Sequence, residues 1–154
     1  MVVNIVCVGS LKEKYWVDAI KEYSKRLSAF CEFNIIEVKE SKCEKDGEIQ
    51  QSKKQEAKSL EKYKKGYCIA LEINGKNLSS EEFASFNKNL IVNGVSTISF
   101  FIGGSNGLDK EFSDGLDYKI SFGKFTYPHQ LMRVILAEQI YRSFMINSNR
   151  SYHK

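Results

Sequence analysis

The chain is poor in the residues that punctuate or staple small proteins. Among 154 residues there are one proline (Pro128), one tryptophan and two histidines. Its four cysteines, Cys7, Cys31, Cys43 and Cys68, are scattered, with no CxxC pair and no Cys/His cluster. Zinc sites need close ligand pairs, so no metal is expected. Cys7 and Cys68 sit inside apolar runs, where a free thiol behaves as a small hydrophobe. No apolar run approaches the roughly 20 residues that cross a bilayer. The opening Met1-Val2-Val3-Asn4-Ile5-Val6 has neither a basic segment nor a small-residue cleavage site. The expectation is a cytoplasmic protein that engages no membrane and, in a reducing compartment, forms no disulfides. Also missing are GxGxxG and the P-loop Gly-Lys-Ser/Thr, which argues against a standard dinucleotide or triphosphate site.

What is present is globular. Hydrophobic residues make up 42% and charged residues 27%, in a length that suits a single domain spanning 1–154. The net charge of +4 is small, but it is unevenly spread. Residues 119–154 hold Lys119, Lys124, Arg133, Arg142, Arg150 and Lys154 against Glu138 alone, while the remainder is close to neutral. A local cationic excess is what attraction to phosphate requires.

Apolar runs alternate with helical patterns. Val2–Val8, Phe33–Val38, Tyr67–Ile73, Thr97–Ile102 and Tyr118–Phe122 read as strands. The third is expected to close at the turn-like Asn74-Gly75. Helices are expected over Leu11–Phe30, within the charge-rich Lys39–Lys65 as a solvated element, from the Ser79/Glu82 capping box to about Asn93, briefly over Asp109–Gly115, and from Pro128 to about Asn147. Strands alternating with helices imply an α/β layered domain with a mostly parallel sheet. The final helix carries apolar side chains almost all round, which demands cover on every side. A chain this short struggles to supply that cover alone, so a homodimer is expected.

Four constellations could carry chemistry. Phe101-Ile102-Gly103-Gly104-Ser105-Asn106-Gly107 places glycines directly after a strand, where the backbone can approach a ligand. Phe122-Gly123-Lys124-Phe125-Thr126-Tyr127-Pro128-His129 is a second strand-end loop of this kind. On the last helix His129 and Arg133 share one face, and Glu138 and Arg142 share another roughly opposite. The second pair reads equally as an ordinary i,i+4 ion pair. The tail Asn149-Arg150-Ser151-Tyr152-His153-Lys154 interleaves cations with rings that can stack on bases.

These residues also carry a resemblance. Gly9-Ser10-Leu11-Lys12-Glu13-Lys14-Tyr15, the Ile102–Leu108 loop, Pro128-His129 with Arg133-Val134 and Glu138-Gln139-Ile140-Tyr141-Arg142, and the closing Tyr152-His153-Lys154 match a known pattern over essentially the whole chain. It resembles the ribosomal large-subunit RNA methyltransferase H family of the SPOUT (trefoil-knot) class; Ser10 departs from the lysine many members have there. The resemblance implies an α/β knot in which the C-terminal segment threads a loop, an exception to the usual rule, and an obligate homodimer. It implies S-adenosylmethionine (SAM) as methyl donor, held by Leu71, Gly103, Phe122, Gly123, Lys124, Phe125, Thr126 and Tyr127. The implied substrate is N3 of pseudouridine 1915 in the helix 69 stem-loop of 23S rRNA, in assembled ribosomes, with no DNA partner and no metal. The matching catalytic candidates are Arg142, Tyr152, His153 and His129. Two rival readings keep the same loops, a nucleotide binder without methyl transfer and a noncatalytic ribosome-binding module.

Overall fold

The computed structural model describes residues 1–42 and 46–152. Cys43, His153 and Lys154, singled out above, lie outside the described residues. Five strands form one sheet: β1 (Val2–Val8), β2 (Glu32–Val38), β3 (Tyr67–Asn77), β4 (Thr97–Ile102) and β5 (Tyr118–Ser121). Their order is β2-β1-β4-β3-β5 and every pairing is parallel. Among the described residues, five α-helices alternate with them: α1 (Lys14–Leu27), α2 (Ile49–Glu61), α3 (Ser80–Val92), α4 (Lys110–Asp114) and α5 (His129–Asn147).

The central strands are apolar on both faces because both faces are covered. In β1, Val3, Ile5 and Cys7 join one core with Ile20 and Leu27 of α1, Phe83 of α3 and Leu136 and Ile140 of α5. Val6 and Val8 point the other way, into a second core with Leu60 of α2 and Phe112 of α4. The buried cysteines Cys7, Cys31 and Cys68 are free thiols within these cores; burial pushes the Cys7 thiol up to about 12, so it is inert near neutrality.

Three local expectations change. The segment 11–13 is not helical, because its amides are taken by side chains. Leu11 N–H donates to Glu37 Oε1 (2.9 Å) and Lys12 N–H to Gln130 Oε1 (3.2 Å). Asn74-Gly75 turns without ending β3. Leu71 and Lys76 both pair with Ile120, so the residues between them bulge out and the strand resumes to Asn77. A Cβ at Gly75 would lie 2.4 Å from the Ile120 carbonyl carbon, so only glycine allows this approach. Helix α2 is charged but not merely solvated. Its Leu60 is in the core, and its Glu56 and Ser52 are buried against the chain leaving β2. Glu56 accepts from Ser41 N–H (2.9 Å) and Ser52 Oγ donates to Ser41 O (2.9 Å).

The capping box forms in both halves at the start of α3. Helix α5 rests on α1 and α3. Arg133, Leu136, Ala137, Ile140 and Ser143 make its buried stripe. The opposite stripe, Leu131, Ile135, Glu138, Arg142, Met145 and Ile146, is only half-buried in the single chain. These six positions fall within an arc of about 100° on an α-helix.

Candidate active site

Parallel strands deliver all their outgoing loops to one edge of the sheet, the edge where open α/β sheets bind ligands. Register brings the sequence candidates level there. Ala70 pairs with Phe101, which sets Leu71 level with Ile102 and one residue short of Gly103. Leu71 also pairs with Ile120, two residues before Phe122. Leu71, the last paired residue of β3 before its bulge, therefore lies level with the ends of the neighbouring strands β4 and β5, where Gly103 and Phe122 follow.

The loop after β4 is closed backbone on backbone. A Cβ at Gly103 would fall 2.4 Å from the Gly107 carbonyl carbon and 2.5 Å from Leu108 N. Gly107 N–H donates to Gly104 O (3.0 Å), completing the tight loop. The loop after β5 begins with Ser121 Oγ accepting from Gly123 N–H (3.1 Å), and Gly123 has φ +105°, a left-handed value that favours glycine. Lys124, Phe125 and Thr126 are exposed, with Phe125 at 79%. Phe122 and Tyr127 are half-buried and face a cavity of about 370 Å³. The start of α3 and the middle of α5 complete its walls. Ser80 Oγ of α3 donates to Gln139 Oε1 of α5 (2.9 Å), tying the two helices together at this cavity. Sequence reasoning missed Ser80 and Gln139. Their signal was position alone, a first-turn serine and a polar residue among apolar neighbours.

The polar residues of α5 separate into two groups. His129 stands at the first turn, its Nε2 3.6 Å from where a Gly9 Cβ would be. Burial, and then the Arg133 charge, hold its pKa below the ordinary histidine value, which keeps it neutral near pH 7. Arg133 is fully buried. Its Nη2 donates to Val8 O (2.8 Å) and Gly9 O (3.0 Å), and its Nη1 to Glu37 Oε1 (3.0 Å). That makes Arg133 a tie between α5 and the ends of β1 and β2.

The second group lies 13 residues further along, about 20 Å at 1.5 Å per residue. Arg142 pairs with Glu138 (2.6 Å), the ordinary i,i+4 ion pair. Tyr152 folds back over it, its ring 4.8 Å from the guanidinium carbon and its hydroxyl donating to Glu138 Oε1 (3.4 Å). Tyr141 meets the Tyr152 ring edge-on at 5.0 Å. Burial, followed by the neighbouring Tyr152 and Glu138, raises the Tyr23 hydroxyl of α1. The tail residue read as a free stacking ring is thus packed on its own chain. Within one chain Arg142 and Tyr152 come together and His129 stays apart from them.

The charge distribution also differs from its reading along the sequence. Lys119 pairs with Asp114 and Glu72, Arg133 with Glu37 and Arg142 with Glu138. Among the described residues, three of the cations in this stretch are therefore paired with carboxylates.

A family model described as "Predicted SPOUT methyltransferase" matches residues 1–153. The chain belongs to the SPOUT methyltransferase family. It is 51% identical over its full length to the ribosomal RNA large subunit methyltransferase H of Clostridium novyi (strain NT), and 51% identical to that of Ligilactobacillus salivarius (strain UCC118), covering all of both relatives. The protein of the same name from Fusobacterium nucleatum is 44% identical, again over the full length of both. Among solved structures, a methylase family protein from Haemophilus influenzae Rd KW20 matches 99% of this chain and 70% of its own, with a TM-score of 0.58 and 13% identity. That likeness concerns the fold alone. Among the described residues, no helix is long and apolar enough to cross a membrane.

Proposed function

We propose that this chain is a SAM-dependent methyltransferase of 23S rRNA that modifies N3 of pseudouridine 1915 in helix 69 of assembled ribosomes, in the cytoplasm. The observation that carries the reading is the cavity behind Phe122 and Tyr127, in a chain that matches from end to end relatives named ribosomal RNA large subunit methyltransferase H. The cavity's volume is within the ordinary range for small-molecule sites. Its lining combines Leu78, Phe83 and Ile135 with the polar Ser80, Ser121 and Gln139, a mixture that fits an adenosyl group and an amino-acid moiety. Leu71, Gly103 and residues 122–127 would hold the donor largely through backbone groups.

When bound, SAM supplies an electrophilic methyl group on a sulfonium. The chain's own residues must hold the base in line and accept the N3 proton as the new N–C bond forms. Arg142 is suited to oppose negative charge on the carbonyl oxygens flanking N3. Glu138 and the Tyr152 ring fix its guanidinium in place. His129, neutral near pH 7, can take a proton, and His153 is the other candidate.

A homodimer belongs to the same reading. The half-buried stripe of α5 sets Leu131, Ile135, Met145 and Ile146 around Glu138 and Arg142. Self-association through that stripe would cover the apolar side chains and place Arg142 at the subunit boundary. It would also offer a way to bring His129 and Arg142 of different subunits into one site. The trefoil knot is proposed with it. β5 pairs at the sheet edge, yet the chain that follows returns to lay α5 against α1 and α3.

The test is methyl transfer from labelled SAM to ribosomes from a strain lacking the modification, followed by mapping of the labelled nucleotide. Label at N3 of that pseudouridine supports the reading. Ribosomes left unlabelled by folded protein refute it.

A further inference from the structure

A second cavity, of about 710 Å³, is larger than the one behind Phe122. It lies at the same edge of the sheet, over the ends of β1 and β2, and its far wall is Ser105-Asn106 of the loop that begins at Gly103. Lys12 from the segment after β1, and Lys39 and Lys42 from the segment after β2, line the larger one.

Its electrostatics follow from who is already paired. Of the two carboxylates present, Glu37 is paired with a cation from within, whereas Glu40 is hydrogen-bonded by a neutral hydroxyl and keeps its charge. Glu37 Oε1 accepts from Arg133 Nη1 and Leu11 N–H, and Glu40 Oε1 accepts from Ser105 Oγ (3.1 Å). Among the described residues, none of the three lysines takes part in an ion pair. All three are exposed. The floor is firm, since Arg133 clamps the ends of β1 and β2 and α2 clamps Ser41 through Glu56 and Ser52. Counting Arg133, four cations face two carboxylates, and the uncompensated ones are solvated lysines at the rim. Gly9 adds no side chain above this floor, where a Cβ would lie 3.6 Å from both His129 Nε2 and Glu40 Oε2.

We propose that this cleft is a phosphodiester-binding subsite: Lys12, Lys39 and Lys42 hold the backbone of the substrate RNA strand beside the methyl-donor cavity. The inference rests on the rRNA methyltransferase reading and deepens it. A cation paired like Lys119 has its attraction for a distant phosphate largely offset, whereas unpaired lysines retain it and release counterions when phosphate binds. Ser105 and Asn106 in the wall of the cleft belong to the loop that begins at Gly103, so a strand held in the cleft lies against the loop proposed to hold the methyl donor.

The experiment measures binding of the full-length protein to 70S ribosomes lacking the modification and to protein-free 23S rRNA, across a salt series and without SAM. The variants are K12Q, K39Q, K42Q, the triple K12Q/K39Q/K42Q and the triple arginine replacement. Each lost phosphate contact should reduce the slope of log K against log[salt] by about 0.7 to 0.9, so the triple glutamine variant should lose about 2 units on both RNAs. Its KM for ribosomes should rise at least tenfold, its calorimetric SAM affinity should stay within twofold of wild type, and arginines should restore the slope. An unchanged slope in the triple variant overturns the proposal. So does a loss seen on ribosomes but absent on protein-free rRNA, which would assign the cleft to an acidic ribosomal protein. Wild-type protein that binds RNA with the full slope but transfers no methyl group would sink the enzymatic reading and leave the subsite standing.

Discussion

Replacing Gly103 with alanine tests the methyl-donor site at its tightest point. The added carbon would sit 2.4 Å from Gly107 C, 2.5 Å from Leu108 N and 2.7 Å from Gly107 O. Non-bonded carbons rest at about 3.5–4.0 Å, so the backbone must separate by about 1 Å. Leu108 cannot retreat, being 5% exposed within the second core, and Asp109 next to it caps α4 through Phe112 N–H (3.2 Å). The strain therefore falls on residues 104–107. Overpacking of this kind costs about 1–3 kcal/mol. If the loop yields by shifting away from its bound geometry, that cost appears in the cofactor's affinity. At 1.4 kcal/mol per factor of ten, SAM should bind about ten- to a hundredfold more weakly. Calorimetric titration with SAM, alongside urea unfolding, reads both effects. Gly47→Ala is the control, because nothing lies within 4 Å of the added carbon there. A G103A protein that binds SAM within twofold of wild type, with an unshifted unfolding midpoint, would refute the reasoning.

Arg142→Ala should abolish transfer to ribosomes while SAM affinity by calorimetry survives; preserved turnover would remove Arg142 from the mechanism. Light scattering should give twice the chain mass of 17.7 kDa, and a single-chain mass would reject the dimer. His129, whose pKa is lowered in the fold by burial first, makes stability depend on pH in a definite direction. Below about 6.5 the unfolded chain takes up the proton more readily than the folded one, so stability falls as pH drops from 6.5 toward the folded value and is flat above 6.5. His129→Asn should flatten the urea midpoint between pH 7 and 5; an equally steep loss in the variant would assign the effect elsewhere.

Much of the architecture was legible because buried parallel strands announce themselves as apolar runs ended by glycine. Val2–Val8 before Gly9 and Thr97–Ile102 before Gly103 are found where the sequence puts them. The Ser79/Glu82 pair fixed the start of α3 for a local reason, since both halves of a capping box lie within four residues. What stayed hidden depended on partners far along the chain. Leu11 and Lys12 look helical until side chains from β2 and α5 claim their amides. Asn74-Gly75 looks terminal until β5 pairs on both sides of the bulge. The alignment of Leu71, Gly103 and Phe122 came through resemblance, and strand register supplies its physical counterpart.

Charge was the least legible property, and the most instructive. Counted along the chain, the cations concentrate after residue 118, and that is where phosphate attraction was expected. Folding cancels three of them against Asp114, Glu72, Glu37 and Glu138, two of which, Glu72 and Glu37, lie far away in sequence. The segments that read as neutral, around Lys12 and between Lys39 and Lys42, keep their lysines unpaired among the described residues. Of the carboxylates beside them, Glu37 is taken up by Arg133 and Leu11 N–H, and Glu40 Oε1 accepts from Ser105. A buried arginine on the last helix thus decides which surface cations remain free at the opposite end of the sequence. The same side chain anchors the edge of the sheet on which both cavities open. Electrostatic attraction for a nucleic acid is in this fold a consequence of tertiary pairing, and net charge by segment is a poor guide to it.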